Sequence, residues 1–352
     1  MVKITINDNV TKLKEKSKAK NTQDKYEGDW LRFSSYCDSK YNCRPLDVDD
    51  LESAYALTAN YMDWLHEDPE AKVFKGSSNI PGREKLNNNP YSSSPYKAST
   101  IQRILASITY KYRLNGYQFD RKNPNIAETI SAIVRDEKNL KSGQAKELLK
   151  ADIIKIIDSI PEDEGDYSNI RDKALILVGY YSFCRRSELL GMNFEHLNFS
   201  VEGIQVLIPF SKTDQTGQGR MIFLPATNDK YCPVKALNYW LEIAMISKGP
   251  LFYKINKSNT IEKYTMNFKN QKVSLNDASF VLILKKRSLA AGLENCEKIS
   301  GHSLRIGAIT QARMNGVPTH EIMAQSGHKT TQMIDRYTKL SNIMETSAAK
   351  KI

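Results

Sequence analysis

The sequence predicts a mainly α-helical protein with a small antiparallel β-sheet, divided between two domains. Its 352 residues exceed what one hydrophobic core usually serves. Apolar residues recur at three- and four-residue steps through most of the chain, which is the spacing of one buried helix face. Between residues 203 and 225 the step falls to two, which is typical of strands with one buried side.

The first domain, residues 22–140, is predicted to be helical and to follow a basic, flexible arm at 1–21. Its first helix places four aromatic residues on one face: Tyr26, Trp30, Phe33 and Tyr36. A long loop at 75–99, rich in Gly, Pro, Ser and Asn, interrupts the helical pattern. The further helices of this domain are predicted at 49–66, 100–114 and 126–137.

A polar stretch at 141–147 is predicted to link this domain to a second one at 148–352. In the second domain, 203–210 and 220–225 are predicted to pair as a β-hairpin around the turn SKTDQTGQG. The rest of the domain has helical spacing, and 170–192 is predicted to be one helix. The predicted helices are 150–160, 170–192, 234–246, 276–291, 303–315, 319–325 and 330–340.

Lysine and arginine outnumber the acidic residues by 51 to 40, a formal net charge of +11. This excess favours a polyanionic partner, nucleic acid first and an anionic membrane surface second, but a basic housekeeping protein fits the composition equally well. No apolar run approaches the roughly 20 residues of a membrane helix, and the N-terminus lacks an apolar signal core, so we expect a cytoplasmic protein. The five scattered cysteines fit reduced thiols rather than a disulfide framework or a zinc site.

Two polar groups lie before and within the predicted hairpin. Arg185 precedes Glu188 by three residues, so on a helix both side chains would point the same way. A surface ion pair explains that spacing equally simply. Lys212 lies in the hairpin turn, where a solvated loop lysine is the plain alternative.

Two further groups lie near the C-terminus. His302 and Arg305 share one face of a predicted helix, and two cationic groups at that spacing are reasonable only with an anion beside them. The stretch SGHKTTQMIDRY at 326–337 carries His328 and, nine residues later, Tyr337. Tyr337 is either a packed aromatic residue or a nucleophile; Met333 and Ile334 are predicted to form the packed face of this last helix.

Together these residues suit phosphoryl transfer. Arginines can clamp phosphate oxygens with two hydrogen bonds, histidines can bond the phosphate or move protons, and a lysine can protonate a leaving oxygen. A tyrosine beside a cationic cluster ionises more easily and can then attack phosphorus. No acidic triad, Walker loop or Cys/His metal set accompanies these residues, so we expect chemistry without metal, nucleotide or other cofactor.

The order Arg, Lys, His-x-x-Arg, His and Tyr resembles the tyrosine recombinase (phage integrase) family, most closely its Cre-like members. The stretches IRDKALILVGYYSFCRRSELLGM and SGHSLRIGAITQARMNGVPTHEIMAQSGHKTTQMIDRYTKL carry the likeness, which extends over about residues 22–352. The resemblance implies a helical, DNA-binding core-binding domain followed by a mixed α/β catalytic domain. It is most specific in the C-terminal half.

The resemblance also implies a role for each catalytic candidate. Tyr337 would attack the scissile phosphate and form a 3′-phosphotyrosyl link, while Lys212 protonates the leaving 5′-oxygen. Arg185 and Arg305 would hold the phosphate oxygens. The supporting roles fall to His302, which would assist proton transfer, His328, which would hydrogen-bond the phosphate, and Glu188, which would support the site from behind.

Members of the family carry either His or Trp at the position of His328. The arginine of the motif is taken as Arg185 because the family places its acidic residue three positions later, and Arg186 is interpreted as a surface or phosphate contact.

The family implies double-stranded DNA with specific recombination sites as the partner, and a homotetramer on two sites with a dimer on each. Two rounds of strand exchange would pass through a Holliday junction. Because only about 20 residues precede the first helix, we expect an enzyme that acts on inverted-repeat sites without accessory proteins. It would be encoded by a bacterium, phage or plasmid and be associated with the nucleoid.

The residues that would read DNA bases are predicted on two helices. Gln102 and Arg103 lie on the helix at 100–114, and Asn276 and Asp277 begin the helix at 276–291. Both helices resemble elements that approach DNA in the family. Solvated charges on the same helices are an alternative explanation, since phosphate contacts give affinity with little sequence information.

Two other classes of protein fit parts of the sequence. A helix-turn-helix repressor would explain the helical pattern at 303–337 but leaves Arg185, Lys212 and the hairpin without a role. A type IB topoisomerase or a telomere resolvase shares the tyrosine chemistry but is usually larger than this chain. A repressor would bind DNA without nicking it or forming a covalent adduct, so that alternative is separable by experiment.

Overall fold

The computed structural model describes most of both predicted domains. The chain divides into two compact units, residues 1–142 and 143–352. The predicted fold class is confirmed, because the described residues are mainly helical with a three-stranded antiparallel sheet. The described residues are 20–72, 74, 96–136, 145–209, 219–263 and 274–335.

The described residues of the first unit form four α-helices, with a short 3-10 turn at Pro69–Lys72 after the second. Asp50 caps α2 by accepting a 2.6 Å hydrogen bond from the Ser53 amide. Asn123 caps α4, whose first residue is Pro124. The helices are α1 (Lys20–Tyr41), α2 (Leu51–Glu67), α3 (Ala98–Leu114) and α4 (Pro124–Arg135).

Aromatic side chains dominate the core of the first unit. Phe33, Tyr61 and Tyr112 are fully buried, and the rings of Phe33 and Tyr61 lie 5.0 Å apart between centroids. Tyr112 stacks on Phe119 at 4.7 Å. Of the aromatic face predicted for the first helix, Phe33 and Tyr36 are buried and the other two are partly covered. Such ring pairs contribute about 0.5–1.5 kcal/mol each beyond the area they bury.

The second unit contains seven α-helices and the sheet among its described residues. The strand order is β1-β2-β3, and both pairings are antiparallel. A further stretch at 331–335 is helical. The elements are α5 (Lys150–Asp158), α6 (Tyr167–Tyr181), α7 (Arg186–Leu190), β1 (Leu197–Phe199), β2 (Gly203–Ile208), β3 (Arg220–Pro225), α8 (Pro233–Ile243), α9 (Asp277–Ala290), α10 (Ser303–Met314) and α11 (Thr319–Ser326).

The predicted hairpin is confirmed, with Gly203 opposite Pro225 and Ile208 opposite Arg220. Alternate residues of each strand face the core, as the period of two requires. The sheet also has a third strand, β1, which the sequence analysis did not predict because three residues are too few to show a period. The buried residues of the hairpin are Ile204, Val206, Ile208, Ile222 and Leu224.

The predicted single helix at 170–192 is wrong in one respect. The chain leaves the helical path after Tyr181 and resumes it at Arg186, and Phe183 adopts a positive φ of 55°. The break exposes the Phe183 carbonyl, which accepts a 2.8 Å hydrogen bond from Arg305. A contact with a residue 122 positions away leaves no trace in local spacing, so the sequence pattern continued through the break.

Helix α10 is held against the segment that opens the second unit. A side chain at Gly307 would place its Cβ 1.8 Å from the Leu148 carbonyl oxygen, so only glycine permits this approach. The Leu148 amide donates to the Ser303 carbonyl at 3.3 Å. The position of α10 fixes His302 and Arg305.

Within the described ranges, no helix is both long and apolar enough to cross a bilayer.

Candidate active site

Arg185 and Glu188 form a reciprocal pair at the start of α7. The Arg185 amide donates to Oε2 of Glu188 at 2.9 Å, and its Nη1 donates to Oε1 at 2.7 Å. Arg185 is the residue before the first helical turn, so the prediction that both lie on one helix face is wrong in detail. The predicted pairing is present, and the Glu188 side chain is only 2% exposed. A solvated surface ion pair is therefore excluded.

Arg220, the first residue of β3, is a third member of this cluster that the sequence analysis missed. Its Nη2 donates to Oε2 of Glu188 at 2.8 Å, and its Nη1 donates to the Gln325 carbonyl at 2.6 Å. The alternation of inward-facing and outward-facing residues along β3 could have identified Arg220 from the sequence. Arg220 shares a face with the buried Ile222 and Leu224, and a charged residue on an inward strand face needs a buried partner.

Arg305 and His328 occupy the other side of the cluster. Nη1 of Arg305 donates to the carbonyls of Phe183 and Ser326, both at 2.8 Å, and lies 4.0 Å from Oε2 of Glu188. Its Nη2 lies 2.9 Å from Nε2 of His328. Since a guanidinium only donates, Nε2 is the acceptor, and the ring proton belongs on Nδ1, 2.8 Å from Oγ of Ser326.

Charge and burial set the protonation of both acid–base groups in the cluster. Burial lowers the pKa of His328 to about 4, helped by Arg305, Arg185 and Arg220, while Glu188 acts in the opposite direction. Burial acts to raise the pKa of Glu188, but the Arg185 amide and the neighbouring guanidiniums outweigh it and the pKa is lowered. His328 is therefore neutral and Glu188 ionised at neutral pH.

The cluster carries more positive than negative charge. Three guanidiniums, those of Arg185, Arg220 and Arg305, surround the single carboxylate of Glu188. Glu188 lies 4.0 Å from Arg305, whereas the anion expected beside both His302 and Arg305 stays a prediction. With His328 neutral, the excess of two positive charges makes the cluster a site for a further anion, and guanidinium geometry suits phosphate oxygens.

The remaining catalytic candidates differ in where they lie. His302 is exposed at the start of α10, where its amide donates to Oγ of Ser300 at 3.1 Å. Lys212 and Tyr337 lie outside the described residues, which resume at 219 and end at 335. In the helical stretch before Tyr337, Ile334 is fully buried as predicted, but Met333 is 41% exposed, so its predicted place on the packed face is wrong.

Comparison with known proteins decides the family. The model of the phage integrase family matches residues 140–343. The chain belongs to the phage integrase family. It is therefore a tyrosine recombinase, an enzyme that cleaves and rejoins DNA strands.

Relatives of the phage integrase family match over most of the chain. The integrase/recombinase xerD homolog of Selenomonas ruminantium is 31% identical over 343 residues, covering 96% of this chain and 87% of the relative. The tyrosine recombinase XerC of Thermodesulfovibrio yellowstonii is 25% identical over 241 residues, covering 68% of this chain and 71% of the relative. Because both are Xer proteins, the predicted closeness to Cre-like members stays a prediction.

Solved structures of the phage integrase family also match this chain. A lambda integrase dimer bound to a COC′ core site is 15% identical, with a TM-score of 0.48, and the match covers 94% of this chain and 93% of that one.

The predicted base-reading residues are found in different settings. Gln102 is exposed, and with Arg113, Arg121 and Lys122 it lines an open cavity of about 410 Å³. Arg103 forms an ion pair with Asp29 across α1 and α3. The basic lining of the cavity suits a phosphate backbone. Arg103, by contrast, is already engaged with Asp29 within the first unit.

At the start of α9 both predicted base-reading residues have structural contacts. Asn276 caps the helix by accepting a 2.8 Å hydrogen bond from the Ser279 amide. Asp277 accepts a 2.5 Å hydrogen bond from Arg186, whose side chain lies over Gly301. Arg186, interpreted from sequence as a surface or phosphate contact, therefore joins α7 to α9.

One group of potential metal ligands occurs among the described residues, and it lies outside the arginine cluster. The ligand atoms of His66, Glu67 and Asp136, in the first unit, lie within 4.8 Å of one another. The 2.7 Å distance from Nε2 of His66 to Oδ2 of Asp136 is that of a hydrogen bond.

Proposed function

We propose that this protein is a site-specific DNA recombinase that works through a 3′-phosphotyrosyl intermediate on Tyr337. The observation that carries the proposal is the buried cluster of Arg185, Glu188, Arg305 and His328, with its excess of positive charge. These residues occur in the order of the family motif and meet from α7, α10 and the end of α11.

In this proposal Arg185 and Arg305 bind the scissile phosphate. Glu188 orients Arg185 through two hydrogen bonds, and two backbone carbonyls orient Arg305. Donors fixed before the substrate arrives need no reorganisation as negative charge develops on the phosphate. His328, neutral at working pH, adds a hydrogen bond to the phosphate without adding charge; to do so its single ring N–H must exchange Oγ of Ser326 for a phosphate oxygen.

The chemical step is an exchange of phosphodiester bonds. Oη of Tyr337 attacks phosphorus and forms the phosphotyrosyl bond as the bond to the 5′-oxygen breaks. Lys212 gives its proton to that oxygen, and His302 assists proton transfer by accepting the phenol proton of Tyr337. Because one ester replaces another, a 5′-hydroxyl from a second strand reverses the step and joins the strands without ATP.

The organisation of the enzyme follows from the same family resemblance. We assign DNA binding to residues 22–140, catalysis to 148–352, and the linker to 141–147. Four protomers, a dimer on each of two inverted-repeat sites, exchange strands through a Holliday junction without an accessory protein. The relatives from two bacteria support a location in the bacterial cytoplasm, with the DNA.

Capture of covalent protein–DNA adducts tests this function. Purified protein is incubated with a library of duplexes and denatured, and the DNA that remains attached is sequenced. Wild type is expected to yield adducts at one inverted-repeat sequence, and Tyr337→Phe none. Tyr239→Phe, which removes an exposed phenol elsewhere in the second unit, serves as the control and should behave as wild type. Adducts that persist in Tyr337→Phe would overturn the nucleophile.

A further inference from the structure

The geometry points to Arg220 as a positioning residue that acts through Glu188 and keeps the phosphate-binding arginines apart. This inference rests on the proposed function, since it concerns the rate of the cleavage step assigned to Tyr337. Arg220 lies outside the motif order on which that function was proposed, at the first position of β3.

Arg220 joins the start of β3 to two other segments, the start of α7 and the end of α11. Its Nη2 lies 2.8 Å from Oε2 of Glu188 in α7 and 3.6 Å from Sγ of Cys184 before it, and its Nη1 lies 2.6 Å from the Gln325 carbonyl in α11. The Arg220 side chain is 16% exposed and that of Glu188 is 2% exposed. Hydrogen bonds between charged groups at this depth are poorly screened and hold their geometry.

The second role of Arg220 is to occupy a carboxylate oxygen that Arg305 would otherwise take. Nη1 of Arg305 lies 4.0 Å from Oε2 of Glu188, beyond hydrogen-bond distance, while Arg220 bonds that oxygen directly. Without Arg220, the Arg185 amide still donates to that oxygen, but the charged group that competes with Arg305 for it is lost. Arg305 would then shift toward Glu188 and away from the Phe183 and Ser326 carbonyls that set its orientation.

Arg220 also ties the hairpin to the cluster. It directly follows Gly219, whose φ of 69° turns the chain into β3, and it lies eight residues after Lys212. The bond to Glu188 therefore fixes the end of the segment that carries the proposed general acid. Gly327 leaves room for this arrangement, because a Cβ there would lie 2.6 Å from Nε of Arg220.

The test measures binding and cleavage separately in full-length variants. The probe is the duplex recovered from adduct capture, nicked so that the covalent product accumulates. Arg220→Gln is expected to bind it within threefold of wild type but to form adduct about tenfold or more slowly at saturating protein. Arg220→Lys should recover part of the rate. Met221→Ala, on the opposite and exposed face of β3, is the matched control and should match wild type.

A double variant separates positioning from general stability. If Arg220 acts through Glu188, adding Arg220→Gln to Glu188→Gln should slow cleavage by less than twofold beyond Glu188→Gln alone. Independent, multiplicative losses would overturn the inference, and so would a folded Arg220→Gln protein that cleaves within twofold of wild type. If Arg220→Gln does not fold, Arg220→Lys decides, because a wild-type rate in that variant overturns the inference.

The two proposals fail in different ways. A wild-type protein that forms no adduct on Tyr337 contradicts the proposed function whatever Arg220 does. A wild-type protein that forms the adduct at the same rate as Arg220→Gln contradicts only the role of Arg220.

Discussion

Nη2 of Arg305 donates a 2.9 Å hydrogen bond to Nε2 of His328, so two of the proposed phosphate ligands hold each other in place. The same arginine reaches the carbonyls of Phe183 and Ser326. The break before α7, the start of α10 and the end of α11 therefore converge on one guanidinium. A site of this kind is assembled before its substrate arrives, which is the condition for electrostatic catalysis.

The stability of the protein should depend on the protonation of His328. Its pKa is lowered to about 4 in the folded state from about 6.5 in the unfolded chain. The unfolded chain thus binds the proton first, and the contribution of the neutral ring is lost as pH falls from about 6.5 to about 4. Urea unfolding at pH 7 and pH 4.5 should show wild type losing about 1–3 kcal/mol more than His328→Gln. Equal losses in the two proteins would contradict a buried, neutral histidine.

Removing the charge of Glu188 should damage both stability and catalysis. The carboxylate lies between three guanidiniums, and breaking one partner of a buried ion pair costs about 3–5 kcal/mol. Glu188→Gln should therefore lower the free energy of unfolding by that order and slow adduct formation. Glu321→Gln, exposed in α11, is the control and should change neither quantity. A Glu188→Gln protein as stable as that control would refute the central place of this carboxylate.

A methyl group at Gly327 should disturb the cluster beyond the cost of its backbone conformation. Gly327 has a φ of 69°, and its Cβ would lie 2.6 Å from Nε of Arg220. Gly316, with a φ of 76°, has nothing within 4 Å of its Cβ position. Gly316→Ala therefore introduces the backbone strain of a positive φ without a steric contact. Both variants should lose about 1–2 kcal/mol of stability, but only Gly327→Ala should also cleave DNA more slowly. Equal cleavage rates in the two variants would show that the contact with Arg220 is unimportant.

A second buried network of ion pairs should contribute to the stability of the second unit without affecting the rate of DNA cleavage. Oδ1 of Asp172 accepts from Arg171, and Oδ2 accepts from Nε of Arg287 at 2.8 Å. Asp172→Asn should lower the free energy of unfolding by about 3–5 kcal/mol, measured in urea. Asp158→Asn breaks an exposed pair with Lys230 and should change stability little. A negligible effect of Asp172→Asn would contradict a role for this network in holding α6 to α9.

The sequence predicted those parts of the fold that depend on local spacing. The hairpin at 203–225 was predicted because its sequence pattern has a period of two residues, and the helices because their apolar residues recur at one-turn intervals. The break at 182–185 was missed because the hydrogen bond from Arg305 to the Phe183 carbonyl joins residues 122 positions apart. A contact between residues so distant in sequence does not appear in the local spacing. Met333 was misplaced because adjacent residues of a helix point about 100° apart, so that Ile334 can face the core while Met333 faces solvent.

The residues of the candidate site were also predicted only where a sequence pattern identified them. Arg185, Glu188, Arg305 and His328 were identified by motif order, and the structure brings them together. Arg220 was missed because no spacing rule connects a residue at the start of β3 with a carboxylate in α7. Its only local sign was a charge on an inward strand face, which needs the strand assignment first.

Mapping the covalent adduct tests the central claim most directly. Wild-type protein is trapped on a nicked duplex, the DNA is digested to a short remnant, and the attached peptide is sequenced by mass spectrometry. The account predicts a nucleotide remnant on Oη of Tyr337, on the 3′-phosphate side of the break. A remnant on any other residue, or strand breakage with no protein attached, would contradict it.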